Sequence, residues 1–425
     1  MIAATSIART ALYRRELLER ILPWWENTAI DPNGGVFTCL SNEGGLVSHN
    51  KYTWSQGRWA WLCAEIAERV EFGMLPLDAR LWRERARATA RHLEKTVTAE
   101  GLDVAFVTDQ HGIHLAATSD GDIALSVYAD LFAALGLASA ASLADEAAPG
   151  DRQRWDASAH RLLESAACRV RDCSALSEPY PVPNGFRDLG RTMLLISVAT
   201  EIHRRTGSDA SRATVEEAIA RITGPNGQWS AARGWEFKPR NADVGADDTL
   251  LANHLNPGHI LEMAWMLLDA AAVSGVAADL VPEWLPATVL STLDLGWDEL
   301  HGGLFRFVDR RGGAPTGRLL GDSEYENLVV DTWDTKLWWV HIEALWACEI
   351  FALHTGDPAF DVWADRLATY TFTTFPDPNG NEWIQIRDRA GAPLGKVVAL
   401  PVKDPFHVSR ALIRMIGLSE RTHTS

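Results

Sequence analysis

Helical periodicity that stops and restarts about a dozen times is the feature that most constrains this chain. Apolar residues recur at helical spacing near 4–23, 51–70, 79–95, 121–138, 151–170, 189–206, 212–223, 258–273, 285–294, 334–354, 359–375 and 405–418. Between them lie short pieces of another kind, at 34–40, 103–116, 227–240, 302–312 and 381–391. Each alternates apolar and polar residues around a turn, the pattern of a β-hairpin. No long apolar strands alternate with the helices, so a parallel α/β sheet is disfavoured. PNGGVF (32–37) and LHGGLF (300–305) look alike, with PNGNEW (378–383) a weaker echo, and they indicate degenerate helix-pair repeats. No Gly/Ser or Pro linker divides the chain, and the Ala-rich 137–149 reads as a surface loop. The expectation is an all-α fold in one domain, residues 1–425: an (α/α)6 barrel with inner and outer rings and hairpins over one end.

Composition narrows the partners. A net charge of −16 makes nucleic acid and anionic membrane poor ones. No uninterrupted apolar run is long enough to span a bilayer. The first twenty residues are too charged for a secretory signal. The five cysteines are scattered without a CxxC, so reduced thiols and a cytoplasmic location are expected. Eighteen tryptophans are unusual. Most serve as core filler on one reading; on the other, several line a cleft where an indole stacks on a sugar face.

Two stretches share one grammar of capping residue, proline, any residue and histidine. They are Asn256-Pro257-Gly258-His259 and Asp404-Pro405-Phe406-His407. Asn256 and Asp404 can cap their helices, which puts each histidine in a first turn. The helix dipole there disfavours an imidazolium, and a neutral imidazole is a competent general base. Glu262, one turn beyond His259, can hold one of its ring nitrogens. Arg410, one turn beyond His407, should push the proton off that ring. The plainer alternative is that each histidine bonds a loop carbonyl.

In 50–61, Asn50 starts a helix carrying Trp54, Gln56 and Arg58. Arg58 among tryptophans either pairs with a carboxylate or faces a developing oxyanion. In 335–350, Lys336, His341 and Glu343 are embedded in a nearly all-apolar helix. Glu343 must be paired or useful there, and His341 reads as packing. No metal is expected: HExxH is absent, and His111 and His114 read as a solvated hairpin. Phosphate-loop, dinucleotide and GxSxG signatures are absent too.

At GGVFTCL, KYTWSQGRWAW, NPGHILEMAWMLL, GWDELHGGLF, KLWWVHIEALWA and PFHVSRALIRM the chain resembles the N-acyl-D-glucosamine 2-epimerase family, in that family's order and over most of its length. The resemblance implies the same (α/α)6 barrel. It makes His259 and His407 the two catalytic bases and Arg58 the residue holding the sugar oxygen at the reacting end. It gives Glu262 and Glu343 the task of orienting the histidines. Tyr52, Trp54, Gln56, Met193, Lys336, Trp339 and Arg410 become the substrate-binding set. Two departures stand out. Ser409 replaces a proline common in relatives, and the stretch around Met193 lacks the extra histidine of the cellobiose-epimerase and aldose–ketose-isomerase branches.

The implied chemistry interconverts N-acyl-D-glucosamine and N-acyl-D-mannosamine. One histidine removes the C2 proton of the open-chain sugar and the other returns a proton to the opposite face. Rival expectations are aldose–ketose isomerisation or epimerisation of unmodified mannose, fructose or glucose, an (α/α)6 glycoside hydrolase using two carboxylates, and a non-catalytic sugar-binding protein. The resemblance implies no required cofactor, ATP as a candidate allosteric activator, and a candidate homodimer.

Overall fold

The computed structural model describes residues 2–143, 149–230, 233–240, 248–275, 281–321, 323–395 and 402–424. The N-terminal helix α1 (Ile2–Arg15) passes through a π-helical turn (Glu16–Ile21) into α2 (Leu22–Thr28). Helix pairs α3 (Thr53–Glu71) and α4 (Ala79–Thr96), α5 (Val127–Ser142) and α6 (Pro149–Arg171), and α7 (Leu189–Thr206) and α8 (Asp209–Thr223) follow. The short α9 (Leu250–Asn253) precedes the pair α10 (Pro257–Ser274) and α11 (Leu285–Gly296). The short α12 (Glu324–Thr332) precedes α13 (Trp338–Thr355) and α14 (Pro358–Thr374), and α15 (Phe406–Thr424) comes last. No helix among the described residues is long and apolar enough to cross a membrane.

The pattern of burial sorts these helices into rings. From Val127 to Ala141 nearly every residue of α5 is buried, and a helix apolar on all sides belongs inside. In α4 the buried residues keep to one face, with Trp82, Ala86, Ala90 and Leu93 as its apolar part, and none of its arginines is buried, as suits an outer helix. The inner ring runs α3, α5, α7, α10, α13, α15 and closes where α15 packs on α3. At the α3–α5 crossing the backbones meet closely: a Cβ on Gly57 would lie 2.0 Å from the Phe132 carbonyl oxygen. That approach seats the Arg58 guanidinium 4.2 Å from the Phe132 ring centre.

Each inner helix is entered from a strand or bridge that pairs with the segment leaving its outer partner. Strand β1 (Lys51–Tyr52) pairs with β2 (Val107–Thr108), and β3 (Phe186–Asp188) with β6 (Phe237–Pro239). Within the second connection, β4 (Trp229–Ser230) and β5 (Arg233–Gly234) pair antiparallel. Strand β7 (His254–Leu255) pairs with β8 (Val308–Asp309), and β9 (Lys336–Leu337) with β10 (Ile386–Arg387). For α5 and α6 the pairing shrinks to the bridge Ser126–Ser177. The sixth unit joins distant parts of the chain: Lys403 before α15 donates its amide to the Thr38 carbonyl beyond α2. Helix α1 is the outer partner there, with Arg9 bound to Glu349 at 2.8 Å and to Asp365. All six inner helices therefore point their N-termini to the pairing end of the barrel.

The expected boundaries need correction in places. Residues 51–52 and 336–337 are strand, residues 121–126 are loop, and Tyr52 rather than Asn50 is the capping residue of α3, without a side-chain cap bond. Of the Ala-rich stretch read as a loop, 137–142 belong to α5, and 144–148 lie outside the described residues. Helices α9 and α12 were not expected.

The look-alike turns sit at equivalent places, each clamped by a lysine that precedes an inner helix. Lys51 Nζ donates to Asp31 and to the Gly34 carbonyl at 2.7 Å. Lys336 Nζ donates to Asp298 at 3.3 Å and to the Gly303 carbonyl at 3.2 Å. Lys403 Nζ pairs with Glu382 at 2.9 Å and donates to the Trp383 carbonyl at 2.9 Å. Two side chains complete these clamps: Gln56 exchanges both bonds with the Val36 backbone, and His341 Nε2 accepts the Leu304 amide. Burial pushes Lys336 down to about 8, with Asp298 opposing.

Candidate active site

At the pairing end the six inner N-termini surround a cavity of about 270 Å³. Each inner helix contributes a side chain to its wall: Arg58, Phe132, Met193, His259, Trp339 and His407. Three carboxylates that precede inner helices or pair beside them, Asp188 at the end of β3 and Glu236 and Asp404 in loops, reach the same space.

His259 sits where its motif places it, with its amide donating to Asn256 Oδ1 at 3.3 Å. Its ring partner is different from the one expected. Nδ1 bonds Glu236 Oε1 at 2.7 Å, and Glu262 instead accepts from Arg410. Glu236 comes from the turn before β6, which pairs with β3 and so sets Glu236 beside Asp188. Burial pulls the His259 pKa down, but the charge and hydrogen bond of Glu236 outweigh it and leave it raised. The shift runs against the direction expected from the helix dipole, because a carboxylate in contact outweighs a half-charge at a helix end. The folded state favours the imidazolium, so this stabilisation is present below the ordinary histidine range and is lost as pH rises through the raised value. Glu236→Gln should move the His259 limb of the pH–kcat/KM profile to lower pH, and an unmoved limb would refute the pairing's influence.

His407 has a carboxylate on either side. Nδ1 bonds Glu343 Oε1 at 2.8 Å, and Nε2 stands 3.5 Å from Asp404 Oδ2. As expected of a cap, Asp404 Oδ1 accepts the Phe406 amide at 2.9 Å. Arg410 does not act on His407 as a bare cation. Its Nη2 is held by Glu262 at 2.8 Å and Glu343 at 2.6 Å, and its guanidinium lies over Phe406 and Trp265. Glu343, wholly buried, also accepts from Trp265 Nε1 at 3.0 Å. Burial would raise its pKa, but Arg410 and His407 hold it well below the usual carboxylate range.

Trp339 lies beside both imidazoles, with ring centres 5.4 Å from His259 and 5.6 Å from His407. Arg58 Nη1 donates to Asp404 Oδ2 at 3.0 Å, and its Nε has no protein partner. Trp54, Met193, Glu262 and Arg410 also line the cavity. Tyr52, Gln56 and Lys336 do not. Tyr52 packs behind Trp54 and Phe106, while Gln56 and Lys336 are spent on the turn clamps. Glu262, Glu343 and His407 bring ligand-type atoms within 4.8 Å of one another, but Arg410 already fills the space between the two carboxylates. His111 is exposed and His114 bonds the Lys95 carbonyl, both away from the cavity.

Sequence reasoning missed Glu236, Asp188 and Tyr128, whose hydroxyl donates to Asp188 at 3.2 Å. The signal for Glu236 was present: a carboxylate between Trp235 and Phe237 in a strand-like piece needs a buried partner.

The site thus sets two carboxylate-backed imidazoles at one mouth of an alternating helical barrel. The family model for N-acylglucosamine 2-epimerase (GlcNAc 2-epimerase) matches residues 35–411, and the chain belongs to that family. The N-acylglucosamine 2-epimerase of Bos taurus is 27% identical over 407 residues, spanning 93% of this chain and 87% of the bovine one. A sugar epimerase from a ruminal bacterium superposes with a TM-score of 0.73 at 20% identity, covering 96% of this chain and 98% of the other. The cellobiose 2-epimerase of Bacillus thermoamylovorans gives 0.73 at 16% identity, covering 96% and 99%.

Proposed function

We propose that the protein interconverts N-acyl-D-glucosamine and N-acyl-D-mannosamine by moving a proton at C2. The observation that carries this is the placement of His259 and His407 on one cavity, each with Nδ1 engaged by a carboxylate and Nε2 on the cavity side, that of His407 facing Asp404 at 3.5 Å. C2 of the open-chain sugar is acidic because it adjoins the aldehyde. One imidazole takes its proton, Arg58 stabilises the enolate oxygen, and the other imidazole protonates the opposite face. The raised pKa of His259 suits it to donate, which leaves His407 to abstract from the N-acylglucosamine epimer. Trp339, beside both rings, offers the face on which the sugar carbons rest. Met193 in the wall, where other branches carry a further histidine, favours the N-acyl substrate over isomerisation to a ketose.

Incubation in D2O with N-acetylmannosamine, mannose, glucose and cellobiose tests this. The expected result is the N-acetylglucosamine epimer carrying deuterium at C2. A ketose from mannose would move the assignment to an isomerase, and product without C2 deuterium would refute proton transfer. ATP activation, a homodimer and a cytoplasmic location belong to the same proposal. The five free thiols support a reducing compartment.

A further inference from the structure

Asp404 is fixed more firmly than a capping residue requires. The Gln385 carboxamide donates to its carbonyl at 3.1 Å and accepts from its amide at 3.2 Å, and Gln385 is itself held by buried Glu382. The carboxylate that results stands in the cavity wall between a guanidinium and an imidazole. Its Oδ2 is 3.0 Å from Arg58 Nη1 and 3.5 Å from His407 Nε2. The C2 scheme gives it no task.

That scheme needs an aldehyde, yet a hexose in water is almost wholly a cyclic hemiacetal. To open the ring, one group must accept the proton of the C1 hydroxyl and another must protonate the ring oxygen O5. An ionised carboxylate can only accept, and a histidine facing carboxylates on both sides has an acceptor for each N–H. We propose that Asp404 is the base that opens the sugar ring, which makes the protein a mutarotase for its own substrate as well. This rests on the epimerase reading above.

The step balances as follows. Asp404 Oδ2 takes the proton from the C1 hydroxyl, and the electron pair of that O–H bond becomes the second bond of the C1 carbonyl. The C1–O5 bond breaks with its electrons going to O5, and O5 receives the proton of His407 Nε2. The products are the aldehyde, a protonated Asp404 and a His407 with a free Nε2 lone pair, which is the base that C2 then requires. Arg58, on the same carboxylate oxygen, is placed to steady O1 as its charge grows. Reclosure on either face of the carbonyl exchanges the anomers.

Mutarotation of a freshly dissolved single anomer of N-acetylglucosamine, followed by polarimetry or proton NMR, tests the assignment. Wild-type protein is expected to accelerate it. Asp404→Asn should lose about 10²–10⁴-fold of that acceleration, the range of a general base. Asparagine keeps the one oxygen that accepts the Phe406 amide and gives up the one that Arg58 faces, so a purely capping role predicts little change in either mutarotation or epimerisation. His259→Asn, which stops inversion, should still mutarotate. Asp404→Asn protein that mutarotates like wild type would overturn the proposal. So would wild-type protein that epimerises while leaving mutarotation at the buffer rate. Mutarotation without C2 exchange on any sugar would instead sink the epimerase reading.

Discussion

His259→Asn and His407→Asn proteins are each expected to epimerise about 10²–10⁴-fold more slowly than wild type while remaining folded. Both rings line the cavity rather than the core, and neither motif residue bonds a loop carbonyl through its ring. What survives is more telling than what is lost. With His259 gone, His407 still reaches one face of C2. That variant should therefore wash solvent deuterium into one epimer without producing the other. Mass spectrometry of each recovered epimer reads this directly. Wild-type turnover in either variant would refute the two-base scheme, and so would equal exchange into both epimers by His259→Asn.

Arg410→Met should be the most damaging change that leaves both histidines in place. The guanidinium bridges Glu262 and Glu343 in the barrel interior, where each is nearly or wholly inaccessible. Removing one partner from a buried ion cluster costs about 3–5 kcal/mol, because the remaining charges stay unpaired. In wild type the Glu343 pKa is depressed, so its stabilisation is present above the ordinary carboxylate range and is lost as pH falls through the low folded value. Without Arg410, burial dominates and the carboxyl tends to protonate, which also weakens its hold on His407 Nδ1. A lowered denaturant midpoint together with lost activity is the expected result. Arg410→Met combined with Glu343→Gln should regain part of the stability and none of the activity. A single variant as stable as wild type would show the cluster to be dispensable.

Much of this architecture could be read beforehand because helical periodicity is a local signal repeated many times. The rings follow from it: a helix such as α5, apolar on every side, can only be inside. The two histidines were legible for the same reason, since cap, proline and histidine lie within four residues of one another. The partners of those histidines were not. Glu236 is twenty-three residues from His259 and Glu343 sixty-four from His407. Only the pairing of β3 with β6 and the packing of α13 on α15 bring them together. The i+3 rule chose Glu262 for His259, but the inner face of α10 turns that carboxylate toward Arg410. Lys336 misled for a related reason. Its burial beside the site was readable, but its resemblance to Lys51 in both position and task shows only when the turns they clamp are seen at equivalent places.

The junction of Lys403 with Thr38 has a bearing on biosynthesis. His407 and Arg410 both ride on α15, which follows the other described helices and must wedge between α13 and α3. A nascent chain with all its preceding helices translated holds an unclosed ring that lacks one of its two imidazoles. Competence thus waits on the docking of α15 between α13 and α3, which closes the ring and supplies the second imidazole together.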